Sequence, residues 1–244
     1  MFRRAVRVLL TLVMIGSAAL AGTVVTAGTA HADGCYTWNR TLSQGSSGED
    51  VRQLQIRVAG YPGYGAVLAL DGVYGPATAA AVTRFQQAYG LGADGIAGQQ
   101  TFNKIYELQD NDCTPVHFTW GEMNRCNSDW SGGAVSASQA RANALVGMWK
   151  LEALRHALGD RPLVTSSGFR SYACNNAAGG SATSRHLYGD GIDLIGSPTF
   201  CQIVRQARYH GFNEILGPGY SGHDDHAHLA HRSTRFWSAP TCGI

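Results

Sequence analysis

The residues able to do chemistry in this chain gather in two phrases. The first is Ser184-Arg185-His186-Leu187-Tyr188-Gly189-Asp190-Gly191-Ile192-Asp193, and the second is Asp225-His226-Ala227-His228. Imidazoles with a carboxylate are the ligand set with which zinc keeps one coordination corner open for water. His186, Asp193 and His228 are predicted to be three ligands of one zinc ion. Asp193 sits between Ile192 and Leu194, and a carboxylate inside an apolar strand is costly unless it is paired or bound to metal. It is therefore preferred over Asp190, which is expected to be exposed. His226 and His228 are two apart, so on a strand they share a face. No cysteine pair has CxxC spacing, which leaves His and Asp as the metal-binding types.

The elements that must position these groups follow from the surrounding pattern. A long helix is predicted over about Ser138 to Leu158, with Leu151, Leu154 and Leu158 on one face and Gly159 as its stop. Trp149 is read as a core residue. Leu163 to Thr165 reads as a strand running into the loop Ser166-Ser167-Gly168-Phe169-Arg170-Ser171. Ile192 to Ile195, Asn213 to Leu216 and Ala227 to Ala230 read as further strands, with a helix from Ser197-Pro198 to near Gly211. The expected class is α+β, with a small N-terminal three-helix bundle and a C-terminal domain whose sheet is antiparallel, flanked by helices. His117, His156, His210 and His231 are read as surface histidines, and so is His223 although it lies near the second phrase.

The first third of the chain has a different texture. Asp71-Gly72-Val73-Tyr74-Gly75-Pro76-Ala77-Thr78 and Asp94-Gly95-Ile96-Ala97-Gly98-Gln99-Gln100-Thr101 share the pattern D-G-x-x-G-x-x-T. Each is a glycine turn leading into a helix, with Pro76 at an early helical position. Val82, Phe85 and Tyr89 form the core stripe of one helix, Phe102, Ile105 and Leu108 that of the next, and Val51, Leu54 and Val58 that of an earlier one. None of these helices offers an obvious catalytic residue. Residues 109–136, rich in Asn, Asp, Ser and Gly, read as a joining segment.

The chain opens with Arg3, Arg4 and Arg7, an apolar run from Val8 to Ala21, and Ala30-His31-Ala32. That is the layout of a signal peptide over residues 1–32, with Arg3-Arg4 leaving a twin-arginine route open. The apolar run is short for a membrane span. The leader carries three of the 19 Lys+Arg and none of the 17 Asp+Glu, so the remaining chain balances at 16 − 17 = −1. Nothing in that charge points to nucleic acid, and after leader removal nothing points to a membrane; a secreted monomer is expected. The six cysteines all follow the leader, and export with an even count argues for three disulfides. Six cysteines allow 15 pairings and the sequence alone does not choose among them. Chain order offers one economical scheme: Cys35 with Cys113, Cys126 with Cys174, and Cys201 with Cys242.

Two resemblances add to this reading. Gly48-Glu49-Asp50-Val51, Leu54-Gln55, Val82-Thr83-Arg84-Phe85-Gln86 and both D-G-x-x-G-x-x-T phrases resemble the peptidoglycan-binding type 1 domain. The resemblance implies that residues 36–110 hold the protein on the cell wall. Ser184, His186, Gly189 and Asp193, followed by Asp-His-Ala-His, resemble the zinc D-alanyl-D-alanine carboxypeptidases of actinomycetes, with Gly191 where that family usually has Ala. This implies a zinc peptidase domain over residues 113–244. It implies His186, Asp193 and His228 as ligands, Asp225 as general base, His226 as a group steadying the transition state, and Arg170 as the clamp for the substrate carboxylate. A planar guanidinium suits a terminal carboxylate through a two-point fork. Strict strand alternation would turn Asp225 away from His226 and His228, so the regular strand must begin after it.

The expected activity is removal of the terminal D-Ala from peptidoglycan stem peptides by an extracellular, cell-wall-associated enzyme. The alternative is a zinc endopeptidase cutting cross-bridges, but the lysostaphin-like spacing H-x-x-x-D is absent, since His186 and Asp193 are seven apart. A catalytically silent binding protein with a structural zinc is disfavoured, because such sites close all four corners with protein ligands. A serine peptidase is disfavoured too, as neither Lys104 nor Lys150 completes an S-x-x-K motif.

Overall fold

In the computed structural model, residues 35–126 and 129–244 are described. The signal peptide expected over residues 1–32 lies outside them. Three helices open the chain: α1 (Glu49–Arg57), α2 (Pro76–Ala88) and α3 (Gln99–Glu107). The repeat has a structural cause in two buried glutamines. Gln55 donates from Nε2 to Asp71 Oδ1, Val73 O and Thr78 Oγ1, and accepts from Gly72 N. Gln86 makes the same four bonds to Asp94, Ile96, Thr101 and Gly95. Each D-G-x-x-G-x-x-T phrase is thus a turn folded around one amide, whose buried polar atoms are all satisfied. The Val51, Leu54, Val82, Phe85, Phe102 and Ile105 stripes meet in the core of this bundle.

A short helix, α4 (Trp120–Met123), precedes the long helix α5 (Ala137–Ala157), and α6 (Tyr172–Ala177) and α7 (Phe200–Ala207) follow. The strands are β1 (Val164–Ser167), β2 (Ile192–Ile195), β3 (Glu214–Leu216), β4 (Ala227–Ala230) and β5 (Phe236–Ser238), in the sheet order β1-β2-β4-β3-β5. The class is α+β as expected. The first four strands in this order pair antiparallel, but β5 pairs parallel to β3, so the sheet is mixed rather than antiparallel. One sheet face turns Ile192, Leu194, Ile215, Ala227 and Leu229 into a core shared with α5 and α7. The other face is where the polar residues of the same strands emerge, as the two-residue strand period requires.

α5 serves two cores at once. Ala144, Met148, Leu151 and Leu154 pack on the sheet, while Trp149 and Ala153 pack on the N-terminal bundle. Two glycines make the fit possible. A Cβ at Gly147 would lie 2.8 Å from Ile192 Cδ1, and one at Gly60 would collide with Ala153 and crowd the Lys150 backbone. Hydrogen bonds from Gly65 N to Arg208 O and from His210 Nδ1 to Gly60 O, 2.8 and 2.7 Å, tie the bundle to the second half. His210 is therefore not a surface residue: it is 6% exposed.

Cys35 pairs with Cys113, Cys126 with Cys174 and Cys201 with Cys242, the scheme that chain order suggests. No helix among the described residues is long and apolar enough to cross a membrane.

Candidate metal centre

The sheet register builds the centre. Asp193 of β2 lies directly opposite His228 of β4. Cross-strand partners in an antiparallel pair project on the same face at close range. Asp193 Oδ1 accordingly stands 2.8 Å from His228 Nδ1. His186 comes from a 3-10 turn over Arg185–Tyr188 and brings Nε2 to 3.1 Å from Asp193 Oδ2. Donor atoms of His186, Asp193 and His228 all lie within 4.8 Å of one another, and all three residues are buried. The structure thus brings together the three residues picked out by type and spacing.

The outer nitrogens are occupied in a way that frees the inner ones. His186 Nδ1–H donates to Gly168 O at 2.6 Å, and His228 Nε2–H donates to Glu214 Oε1 at 3.2 Å. Such bonds fix the tautomer and aim the other nitrogen, as is usual for histidines that bind metal. Glu214 is opposite Ala230 on β3, two positions from His228 along β4, so it reaches His228 diagonally on one face. Its second oxygen accepts from Arg232 Nη1 at 2.8 Å. Two imidazoles and one carboxylate, buried, convergent and supported from behind, fit a divalent ion of the zinc type.

The charges of the three groups bear strongly on one another, and metal binding would displace the proton that Asp193 and Glu214 hold on His228. Burial pushes the Asp193 carboxyl up, but the neighbouring imidazoles of His186 and His228 outweigh it and hold the group well below the usual carboxylate range. Burial lowers His228, yet the flanking Asp193 and Glu214 raise it to about 9. His186 is lowered, chiefly by burial.

The other expected residues stand around this cluster. Arg170 donates from Nη2 to Asp193 Oδ2 and from Nε to Ser167 Oγ, both at 2.8 Å. His226 presents Nε2 at 3.6 Å from Asp193 Oδ1, and its Nδ1–H donates to Asp225 Oδ1 at 2.8 Å. Asp225 itself is 90% exposed and reaches the cluster through that imidazole. β4 begins at Ala227, so Asp225 and His226 precede the regular strand, as a shared orientation toward the site demands. His223 is not a plain surface residue: half-buried, it lines the same cleft, its ring 4.7 Å from that of His226. Asp190 is 9% exposed rather than open, and pairs with Arg185 outside the cluster. The cleft over the cluster has a volume of about 670 Å³ and is walled by Arg170, Tyr188, Tyr220, His223 and Phe236.

Glu214 was not singled out by sequence reasoning. The signal was present, since Asn-Glu-Ile-Leu sets a carboxylate in an apolar strand as Ile-Asp-Leu-Ile does.

A buried cluster of two imidazoles and a carboxylate, on the floor of a wide polar cleft in an α+β scaffold, is the arrangement of a metallopeptidase. The chain belongs to the peptidase M15 family, whose description matches residues 116–230. A putative peptidoglycan binding domain matches residues 47–105. The chain is 64% identical to the zinc D-Ala-D-Ala carboxypeptidase of Streptomyces albus G, over 99% of each chain. It is also 45% identical, over 31% of its own length and 22% of the relative, to a probable N-acetylmuramoyl-L-alanine amidase of Bacillus licheniformis. Among solved structures, the SleB N-terminal domain is 38% identical, covering 30% of this chain and 96% of that one, with a TM-score of 0.27.

Proposed function

We propose that this protein is an extracellular zinc carboxypeptidase that removes the terminal D-Ala from D-Ala-D-Ala stem peptides of peptidoglycan. The observation that carries the reading is the convergence of His186, Asp193 and His228 under an open cleft. It is supported by the full-length likeness to the Streptomyces enzyme. Residues 113–244 would form the peptidase domain, and residues 36–110 would hold it against the wall. Residues 1–32 would direct export.

His186 through Nε2, His228 through Nδ1 and the carboxylate of Asp193 would hold the zinc ion. Zinc there supplies a Lewis acid and brings the pKa of a water toward ~7. Asp225 and His226 form the proton-handling pair. The Asp225 carboxylate accepts from His226 Nδ1–H and holds the ring in place, takes the proton of the attacking water and returns it to the leaving amine. His226, its Nδ1–H committed to Asp225, acts as an imidazolium and donates from the inward-turned Nε2–H to the oxyanion that forms at the scissile carbonyl. Arg170 holds the outer oxygen of Asp193 and keeps further N–H groups for the free carboxylate of the substrate. Only a carboxypeptidase needs that last contact.

Release of D-Ala from a short peptide ending in D-Ala-D-Ala should be abolished by a chelator, restored by zinc and little affected by penicillin. Penicillin-sensitive activity that survives chelation would overturn the reading. Equal activity on peptides with free and amidated C-termini would instead favour cutting within cross-bridges.

A further inference from the structure

Between the N-terminal bundle and α5 lies a second cavity, of about 370 Å³, well separated in character from the cleft above the metal centre. Its walls are mostly apolar: the extended segment Val67 to Leu70, Val146 of α5 and the ring of Phe212. Four polar residues break that lining, of which Asn143 bonds to Tyr188 O and Asp190 to Arg185, leaving two. Lys150 is 5% exposed, and its ammonium makes no hydrogen bond or ion pair among the described residues; Nζ lies over the face of Phe212 at 5.6 Å and feels the charge of Asp190 across the cavity. His231 leaves a buried Nδ1 without a partner.

A buried ammonium with no hydrogen-bond partner is expensive, since desolvation is not repaid by a direct contact. The one carboxylate in the wall, Asp190, is already neutralised by Arg185, which bonds both its oxygens. Asp190 attracts Lys150 without contacting it, so the cavity holds an ammonium that no side chain among the described residues bonds directly. Burial draws the Lys150 ammonium down to about 8, which leaves it largely protonated near neutral pH. His231 is drawn down to about 4, chiefly by burial, and stays neutral there with a ring nitrogen to offer. Val67, 37% exposed, places the mouth of the cavity at the surface. The volume suits a small organic molecule rather than a few waters.

We propose that this cavity binds a small amphipathic carboxylate, its anionic end on Lys150 and His231 and its apolar body on Val67, Val146 and Phe212. The ligand would bridge the two halves of the molecule, because the segment Val67 to Leu70 belongs to one and Lys150 and Phe212 to the other. It would also press on the loop from Arg185 to Asp193 through Asp190, behind the metal centre.

Calorimetric titration of the zinc-loaded full chain tests this with two probes, octanoate and N-acetyl-D-alanine, which separate an acyl source of the carboxylate from a peptide C-terminus. Binding of at least one probe is expected, with the neutral amide of that probe at least tenfold weaker. Lys150→Met, which keeps the length and loses the charge, should weaken it at least tenfold. Val146→Phe, which fills the cavity and leaves Lys150 in place, should do the same. Arg170→Ala, which alters only the metal-site cleft, should leave it unchanged. No binding of either probe would overturn the proposal. So would binding that survives both Lys150→Met and Val146→Phe, or binding lost in Arg170→Ala.

Discussion

Glu214 Oε1 stands 3.2 Å from Nε2 of His228, whose other ring nitrogen stands 2.8 Å from Asp193. The imidazole is therefore gripped from behind by a carboxylate at the ring nitrogen opposite Asp193. Removing it should let the ring turn and lose basicity. Glu214→Ala is expected to weaken zinc binding roughly 10–100-fold, the usual cost of losing such a support. Competition against a chelator of known affinity measures it, and an unchanged affinity would show that Glu214 is ornamental to the centre.

Asp225 touches the centre only through His226. Asp225→Asn should thus keep full zinc content while kcat falls about 10²–10⁴-fold, the range for loss of a general base. His226→Ala should lower kcat by roughly 10²–10³-fold if it donates to the oxyanion. Metal analysis of the same samples separates these outcomes from a damaged zinc site. Turnover retained in Asp225→Asn would remove it from the mechanism.

His210 is buried where the bundle meets the second half and donates to Gly60 O. Burial lowers it from 6.5 to about 4. Between those two values the unfolded chain holds a proton at this site that the folded chain refuses. Stability from this group is therefore complete above pH 6.5 and drains away as the pH falls toward 4, by about 3 kcal/mol in all. His210→Asn can offer an amide N–H to Gly60 but cannot titrate. The difference in urea midpoint between wild type and His210→Asn should shift in favour of the variant on going from pH 7 to 4.5. A difference that does not move with pH would refute the assignment.

Trp149 is 1% exposed and its ring belongs to the core of the bundle, although its helix belongs to the other half. Trp149→Ala should cost about 3–5 kcal/mol, as large-to-small changes of buried aromatics do. Probes in the bundle and in the sheet should report one transition, displaced together. Two separated transitions in the wild type would contradict the shared core.

Much of this was readable from residue order. Ile192 to Ile195 and Ala227 to Ala230 occur as strands over the residues expected, because alternation and apolar content agree there. The ligand cluster was legible because Asp193 and His228 declare themselves by context and then meet in register. What was hidden depended on distant partners. Phe236-Trp237-Ser238 is too short and too exposed to declare a strand, and its parallel pairing with β3 joins segments of the tail that no local pattern links. His210 reads as a surface histidine until the N-terminal bundle covers it, while the adjacent Tyr209 stays exposed. Arg170 could be chosen by its loop, but its grip on Asp193 needed the fold.

The long helix with a foot in each core also limits what can be cut or grafted. The composition break near residue 110 invites an engineer to discard the front third, or to exchange it for another anchor. A truncated hydrolase made that way would present Trp149, Ala153 and the backbone around Gly211 to water, and would tend to clump. Any swap of targeting module must either bring a replacement surface shaped to Gly60 and its neighbours, or repaint that side of the helix with polar residues first.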